Sequence, residues 1–300
     1  KTYDEVLRIL KPREEFPALN ERESNYLTFL SSFFTPAKRV HEMVILEKLL
    51  RDEKIDIDEI EKILKERYSL SNQKENIENA IKHLAKEIFV SLSTAKDFLP
   101  IVERYGEDIV LSNDFRKSYK EKEYFKNLID DLIKYNLAYV EKNYKQIEEE
   151  SILRYKEYSK QEAFWYLNLD FNNGYQVSGY TVFEEQRKVI LFITLDDTPP
   201  FTQYDNKFFD NRRFTWYSKN QRCLSRNGKL TAEGKIAENY YTLEAFIKKK
   251  SGENFYYLGQ VKEVLNPKEI INYKGNQVVE YELLLKDEIE NRLYEYLLGK

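Results

Sequence analysis

Cysteine is nearly absent from this chain: Cys223 stands alone among 300 residues, so no internal disulfide framework can staple the fold. Histidine is almost as scarce. His41 and His83 are the only two, which excludes zinc-finger spacings and leaves little material for histidine-based catalysis. Both fall in charged helical stretches, and we expect them on exposed helix faces. The phosphate loop G-x-x-x-x-G-K-[ST], the G-x-G-x-x-G fingerprint and the G-x-S-x-G elbow are all missing. No apolar run approaches the ~18 residues needed to cross a bilayer, and the opening KTYDEVLRILK lacks the apolar core of a signal peptide. These absences lead us to expect a cytoplasmic chain without a membrane partner, a cofactor or catalytic machinery of its own. Because it opens at Lys1 straight into helical pattern, we also expect a piece of a longer polypeptide whose chemistry lies upstream.

What is present is ordinary for globular protein: 42% apolar and 33% charged residues, over a length sufficient for two cores. The net charge of −4 conceals an asymmetry. Residues 1–150 carry 26 basic and 31 acidic groups, whereas residues 151–300 carry 22 and 21. Between Lys207 and Lys229 the excess becomes local, with Lys207, Arg212, Arg213, Lys219, Arg222, Arg226 and Lys229 facing only Asp210. A local excess of this kind matters more to a polyanionic partner than the average does.

The first half, residues 1–148, reads as an all-α bundle or array. Thr35-Pro36 has the form of an N-cap and first-turn proline ahead of Val40, Met43 and Val44. Asn72 with Glu75 resembles a capping box ahead of the stripe Ile77, Ile81, Leu84 and Ile88. Another amphipathic stripe runs through Phe125, Leu128, Ile129, Leu132 and Ile133. These stripes read as core. The acidic IEEES at 147–151 marks the boundary, after which the period changes.

Residues 149–300 read as a mainly antiparallel, curved sheet or barrel of about six strands with flanking helices, giving an α+β chain. Ser159 with Glu162 caps a short helix leading into AFWYLNL. Strands follow at QVSGYTVF, RKVILFITL, FTWYS, YTLEAFIKKK and NFYYLGQVKEV, and a turn at Lys274-Gly-Asn276 leads into VVEYELLL. A closing helix is expected from about Asp287. Asp196-Asp197 before two prolines reads as a strand-end turn rather than a carboxylate pair for catalysis or metal.

The segment FTQYDNKFFDNRRFTWYSKNQR, 201–222, interleaves Tyr204, Phe208, Phe209, Phe214, Trp216 and Tyr217 with Lys207, Arg212, Arg213, Lys219 and Arg222. Rings stack on bases while cations neutralise phosphate. Phe214 and Trp216 lie two apart and share a face of a strand, so both could simply fill a core; we expect Phe214 to do so and leave Trp216 open between core and surface. Arg212, Arg213, Lys219, Arg222 and Arg226 are candidate phosphate contacts, against the alternative of a solvated basic face. Tyr180 reads as core or as a pocket wall.

Taken in order, YSKQEAFWYLN, SGYTV, VILFITL, Y-D-x-x-F at 204–208, F-x-W-x-S at 214–218, KNQR and FYYLGQV resemble the C-terminal domain of bacterial fusions that join a phospholipase-D-type nuclease to a helicase. Within those fusions the likeness is to the SauUSI type of methylcytosine-dependent, type IV restriction enzymes. That family's C-terminal domain is regarded as similar to the SRA domain, which reads modified cytosine. The resemblance implies a module that binds duplex DNA carrying 5-methylcytosine or 5-hydroxymethylcytosine, flips the base into an aromatic pocket, and directs an upstream helicase and nuclease. SRA domains hold two tyrosines twelve positions apart on either side of the flipped base, and FTWYS here resembles their second motif. Counting back twelve from Trp216 reaches Tyr204. The resemblance therefore implies Tyr204 and Trp216 as the clamp, Tyr217, Ser218 and Tyr180 beside it, and Asp205, or less directly Asp210, reading the cytosine amino group. Lys207 stands where the family's final aspartate would be, and KNQR replaces its glycine-rich stretch. From a different class comes the alternative of a helicase-associated domain whose aromatic surface binds protein.

Overall fold

The computed structural model describes all residues except 89–96, 146–150, 170–178, 197–205, 273 and 300. The chain is α+β and divides into two compact units. One comprises residues 1–152 with 164–174, and the other residues 153–163 with 175–300.

The first unit opens with α1 (Tyr3–Leu10) and α2 (Glu21–Phe29), which runs into a π-helical turn at Leu30–Phe34. Capping boxes at Thr2/Glu5 and Asn20/Glu23 start both helices by satisfying orphan N–H groups. Thr35-Pro36 does not start the next helix: Thr35 N–H bonds back to Leu30 O at 2.8 Å, closing the π turn, and α3 begins only at His41 (His41–Leu49). The expected N-cap is thus a C-terminal stop, because proline cannot supply the next N–H of a continuing helix. Then come α4 (Ile57–Tyr68), capped by Asp56/Glu59, and α5 (Lys74–Leu84). Asn72 does not cap α5; it sits at φ 55°, and Gln73 takes the cap position.

A hairpin of β1 (Val102–Tyr105) and β2 (Asp108–Leu111) departs from the expected all-α reading. Its two-residue turn starts at Gly106, φ +62°, as a primed hairpin turn requires. Its burial alternates residue by residue along β2, a period too short to be seen between long helical stripes. Beyond it lie α6 (Asn113–Glu121) and α7 (Glu123–Asn143), the latter burying the expected Phe125, Leu128, Ile129, Leu132 and Ile133.

The histidines overturn the reading of exposed faces. His41 is fully buried and its Nε2 pairs with Gln73 Oε1 at 2.8 Å; His83 is 3% exposed, its ring 4.6 Å from that of Trp165. Around them runs a buried polar network. Arg39 and Glu42, both 0% exposed, form an ion pair; Arg39 also donates to Asn79 Oδ1 at 2.8 Å, and Trp165 Nε1–H donates to Glu42 at 3.1 Å. Arg39 lies 5.4 Å from the Tyr166 ring centroid, within cation–π range.

The second unit is built on β3 (Glu157–Tyr158), the start of α8 (Lys160–Tyr166), β4 (Tyr180–Phe183), β5 (Lys188–Asp196), β6 (Arg213–Tyr217), β7 (Ser225–Arg226), β8 (Lys229–Leu230), α9 (Ala232–Ala237), β9 (Thr242–Lys250), β10 (Phe255–Ile271), β11 (Gln277–Leu285) and α10 (Asn291–Leu298). Ser159 and Glu162 exchange the two bonds of a capping box at the start of α8. The final helix begins later than expected, at Asn291 rather than near Asp287.

The main sheet has the order β4-β5-β9-β10-β11-β6, with β3 paired to β10. It is a curved half-barrel, mostly antiparallel. The pair β5–β9 is parallel, and its central rungs, residues 189–193 against 243–247, are buried and apolar except for Glu244, in keeping with burial on both faces. Strand β10 pairs with β9 through its first part and with β11 through its second, and bulges break both ladders. Bulges bend a strand and increase its twist, so one continuous segment turns the corner of the sheet. Inside the curve lie Val189, Leu191, Ile193, Phe214, Leu243, Ala245, Ile247, Val279 and Leu283. No helix among the described residues is long and apolar enough to cross a membrane.

Candidate nucleic-acid interface

Period two along β6 decides the question that the composition left open. Phe214 and Trp216 both face the core, at 0% and 3% exposure, while Arg213, Thr215 and Tyr217 alternate outward. The Trp216 ring stacks on Tyr281 at 5.1 Å and meets Tyr180 edge-on, also at 5.1 Å. An indole held this way is not an open stacking face. As one half of an exposed clamp Trp216 is therefore corrected: it forms the apolar floor beneath Tyr180. Its expected partners Tyr204 and Asp205 lie outside the described residues.

Above that floor, residues far apart in sequence converge. Tyr180, 3% exposed, donates its hydroxyl to Glu233, and Arg222 Nε lies 3.5 Å from the same carboxylate. Lys219 Nζ sits 4.8 Å from the Tyr180 ring centroid. Tyr281 donates to the Glu233 carbonyl at 3.0 Å. Burial, and then the carboxylate, push the Tyr180 phenol far up and hold it protonated as a donor. Burial, and then Arg222, lower the Lys219 ammonium from its usual value.

Glu233 was not singled out from sequence. It lies one residue into α9, behind the Thr231 N-cap, in a stretch with no aromatic or basic pattern. The available signal was the cap itself, which places a carboxylate in the first helical turn. Its 5% exposure makes it a carboxylate fixed by a phenol and a guanidinium, able to accept from a planar amino group if that pair opens.

The remaining candidates divide sharply. Ser218 is buried and continues the sheet: its N–H donates to Val279 O and its Oγ accepts from Val279 N–H. Tyr217 donates to Glu280 at 2.8 Å across the ladder. Asp210 accepts from the N–H groups of Arg212 and Arg213 and from Arg213 Nε, each within 2.9 Å. Burial pushes its carboxyl up, but these bonds outweigh that and hold it below the usual value, so it locks a turn rather than reading a base edge. Arg213 is consumed by Asp210 and Glu282. Arg212 donates to the carbonyls of Leu285 and Lys286, both at 2.8 Å. Arg226 is exposed on the β7–β8 hairpin. Of the five candidate phosphate contacts, only Lys219, Arg212 and Arg226 have no carboxylate bonded to them among the described residues.

Among the described residues no group of three or more His, Cys, Asp or Glu is placed to hold a metal ion.

Residues 152–297 match a family described as a domain of unknown function, DUF3427, and residues 1–146 match a second, DUF8090. No curated protein matches. Three solved structures are similar in part. SUVH6 of Arabidopsis thaliana, in complex with SAM, is 13% identical with a TM-score of 0.34 over 50% of this chain. The DNA modification-dependent restriction endonuclease AspBHI is 10% identical with a TM-score of 0.29 over 49% of this chain and 80% of its own. KRYPTONITE in complex with mCHG DNA and SAH is 13% identical with a TM-score of 0.28 over 58% of this chain. This chain spans 29% of the length of the SUVH6 chain and 40% of that of KRYPTONITE.

Proposed function

We propose that the second unit reads modified cytosine in duplex DNA, flipping a 5-methyl- or 5-hydroxymethylcytosine into an aromatic pocket at the rim where Tyr180, Lys219 and Arg222 gather around Glu233, with Trp216 as its buried support. The observation that carries this reading is convergence. Three separate motifs of the resemblance, SGYTV, FTWYS and KNQR, bring Tyr180, Trp216, Lys219 and Arg222 together around Glu233, although the first and last lie about 40 residues apart. Flipping costs a few kcal/mol of unstacking, and stacking returns roughly 1–3 kcal/mol per base, so a ring stacked on the flipped base offsets much of the cost. The resemblance assigns a stacking ring to Tyr204, and a carboxylate, Glu233 or Asp205, accepts from the exocyclic amine. The chain itself binds and does not cut; catalysis belongs to a helicase and nuclease upstream in the same polypeptide, and the first unit is the spacer between them.

The test is binding of the whole chain to duplexes differing only in cytosine, 5-methylcytosine or 5-hydroxymethylcytosine at near-physiological salt, repeated with Tyr204→Ala and Trp216→Phe. A preference for the modified duplexes that Tyr204→Ala abolishes is expected. Equal affinity of the unaltered chain for all three would sink the reading.

A further inference from the structure

Three cations of the second unit, Arg212 with Lys262 and Lys286, meet at a groove with no acid among its described lining residues. The groove encloses about 560 Å³ where β10 leaves β9 for β11, and Arg212, Lys262 and Lys286 line it together with Asn239, Thr242 and Gln260. Among the neighbouring acids, Asp287 pairs with Arg154 at 2.7 Å, Glu288 accepts from Asn211 and Glu282 pairs with Arg213, while Glu244 and Glu184 accept from the lining residues Gln260 and Tyr241.

The cations are positioned rather than loose. Lys262 is the extra residue of a bulge, since Val261 pairs with Leu285 and Glu263 with Leu284, leaving it opposite nothing. A bulge of this kind re-aims its side chain. Lys286 is held by its N–H to Gln260 O at 2.8 Å, and Arg212 by the two carbonyls that fix one edge of its guanidinium. Asn239 takes the place of a strand beside β10, donating to Val264 O and accepting from Val264 N–H. Backbone bending, not side-chain crowding, therefore opens the groove.

We propose that this groove holds the phosphodiester backbone of duplex DNA, on a surface distinct from the ring cluster; the proposal rests on the reading of the unit as a DNA binder. Fixed cations and neutral donors without an exposed aromatic anchor suit phosphate and sugar, which position a duplex without reading its sequence. Docking of an acidic protein segment would instead call for a buried aromatic or aliphatic anchor at the centre of the contact. Of the groove's apolar lining, Tyr241, Leu243 and Val264 are buried and Val261 is partly exposed, a side chain too small to serve as such an anchor.

Binding of the whole chain to methylated and unmethylated duplexes, followed by fluorescence anisotropy between 50 and 200 mM salt, tests this. Lys262→Gln with Lys286→Gln alters only exposed side chains, so an unchanged thermal midpoint serves as the folding control. The double variant is expected to bind both duplexes more weakly by one common factor, with the preference for methylation intact. Its slope of log K against log salt becomes shallower by about 0.9 per lost phosphate contact, or roughly 3.5-fold less loss of affinity per contact over that range. Unaltered affinity and slope, in a variant that folds normally, overturn the groove while leaving the ring cluster standing. Equal binding of both duplexes by the unaltered chain, still weakened by the two substitutions, overturns base reading and supports the groove. Lysine-dependent binding of poly-glutamate with unaltered duplex binding assigns the groove to an acidic protein partner and overturns the proposal.

Discussion

The chain has two tryptophans, one in each compact unit, and they show two ways of burying charge. Trp165 lies inside a polar network, its indole N–H donating to a fully buried Glu42 that is already paired with a fully buried Arg39. Trp216 lies among hydrocarbon and rings, sharing the core with Phe214 and with Tyr281 stacked on it; the charges near it, Glu233 with Arg222 and Lys219, gather at the rim around Tyr180. A buried ion pair tolerates no missing member, whereas an apolar floor with one rim carboxylate can exchange that carboxylate's partners at modest cost. The first arrangement suits a scaffold. The second suits a site that must open.

The largest effect that would break this contrast lies in the first unit. Glu42→Leu strands Arg39 without its counter-ion and is expected to cost about 3–5 kcal/mol, while adding Arg39→Met should recover much of the loss. Urea denaturation followed by tryptophan fluorescence measures both; an additive double variant would show that the pair is not coupled.

Acid comes next. Burial, then Arg39, pulls the His41 imidazole down to about 4, and burial pulls His83 well below its usual value, so the unfolded chain binds more protons than the folded one as pH falls from about 6.5 towards 4. Stability of the first unit is therefore complete above about 6.5 and is lost on acidification, by on the order of 3 kcal/mol for His41 alone. A thermal midpoint of the first unit that stays level through that window, or one that rises on acidification, would contradict the burial of both rings.

The smallest effect is at the second unit's rim. Tyr180→Phe removes a phenol bonded to a carboxylate that keeps Arg222 as a partner, and about 1–2 kcal/mol is expected. A much larger loss would mean that the rim is as closed a network as the one around Glu42.

The same two residues mark what could be read from sequence. Strand parity was legible: Phe214 and Trp216 lie two apart, and the sheet puts both inside, so separating their fates went against the period of the strand itself. The Ser159/Glu162 cap and most of the strand limits were legible for the same local reason. Burial of His41 and His83 was not. The ring that covers His83 belongs to Trp165, 82 positions away, and no periodicity within one helix carries that information. Glu233 escaped for a similar reason, because Tyr180 and Arg222 reach it from separate elements.

The helix α8 ties these observations to how such a chain could be rearranged. The two family matches meet between residues 146 and 152, yet residues 164–174 fold with the first compact unit. Recombination at the family junction would hand the helical half a foreign stretch where Trp165 and Tyr166 belong, leaving Glu42 without its indole donor and Lys38 N–H without the Tyr166 hydroxyl it bonds at 2.8 Å. An exchange of the second unit that keeps these two bonds must therefore supply a matching tryptophan and tyrosine, or join beyond residue 174, so the structural boundary lies later in the chain than the family boundary.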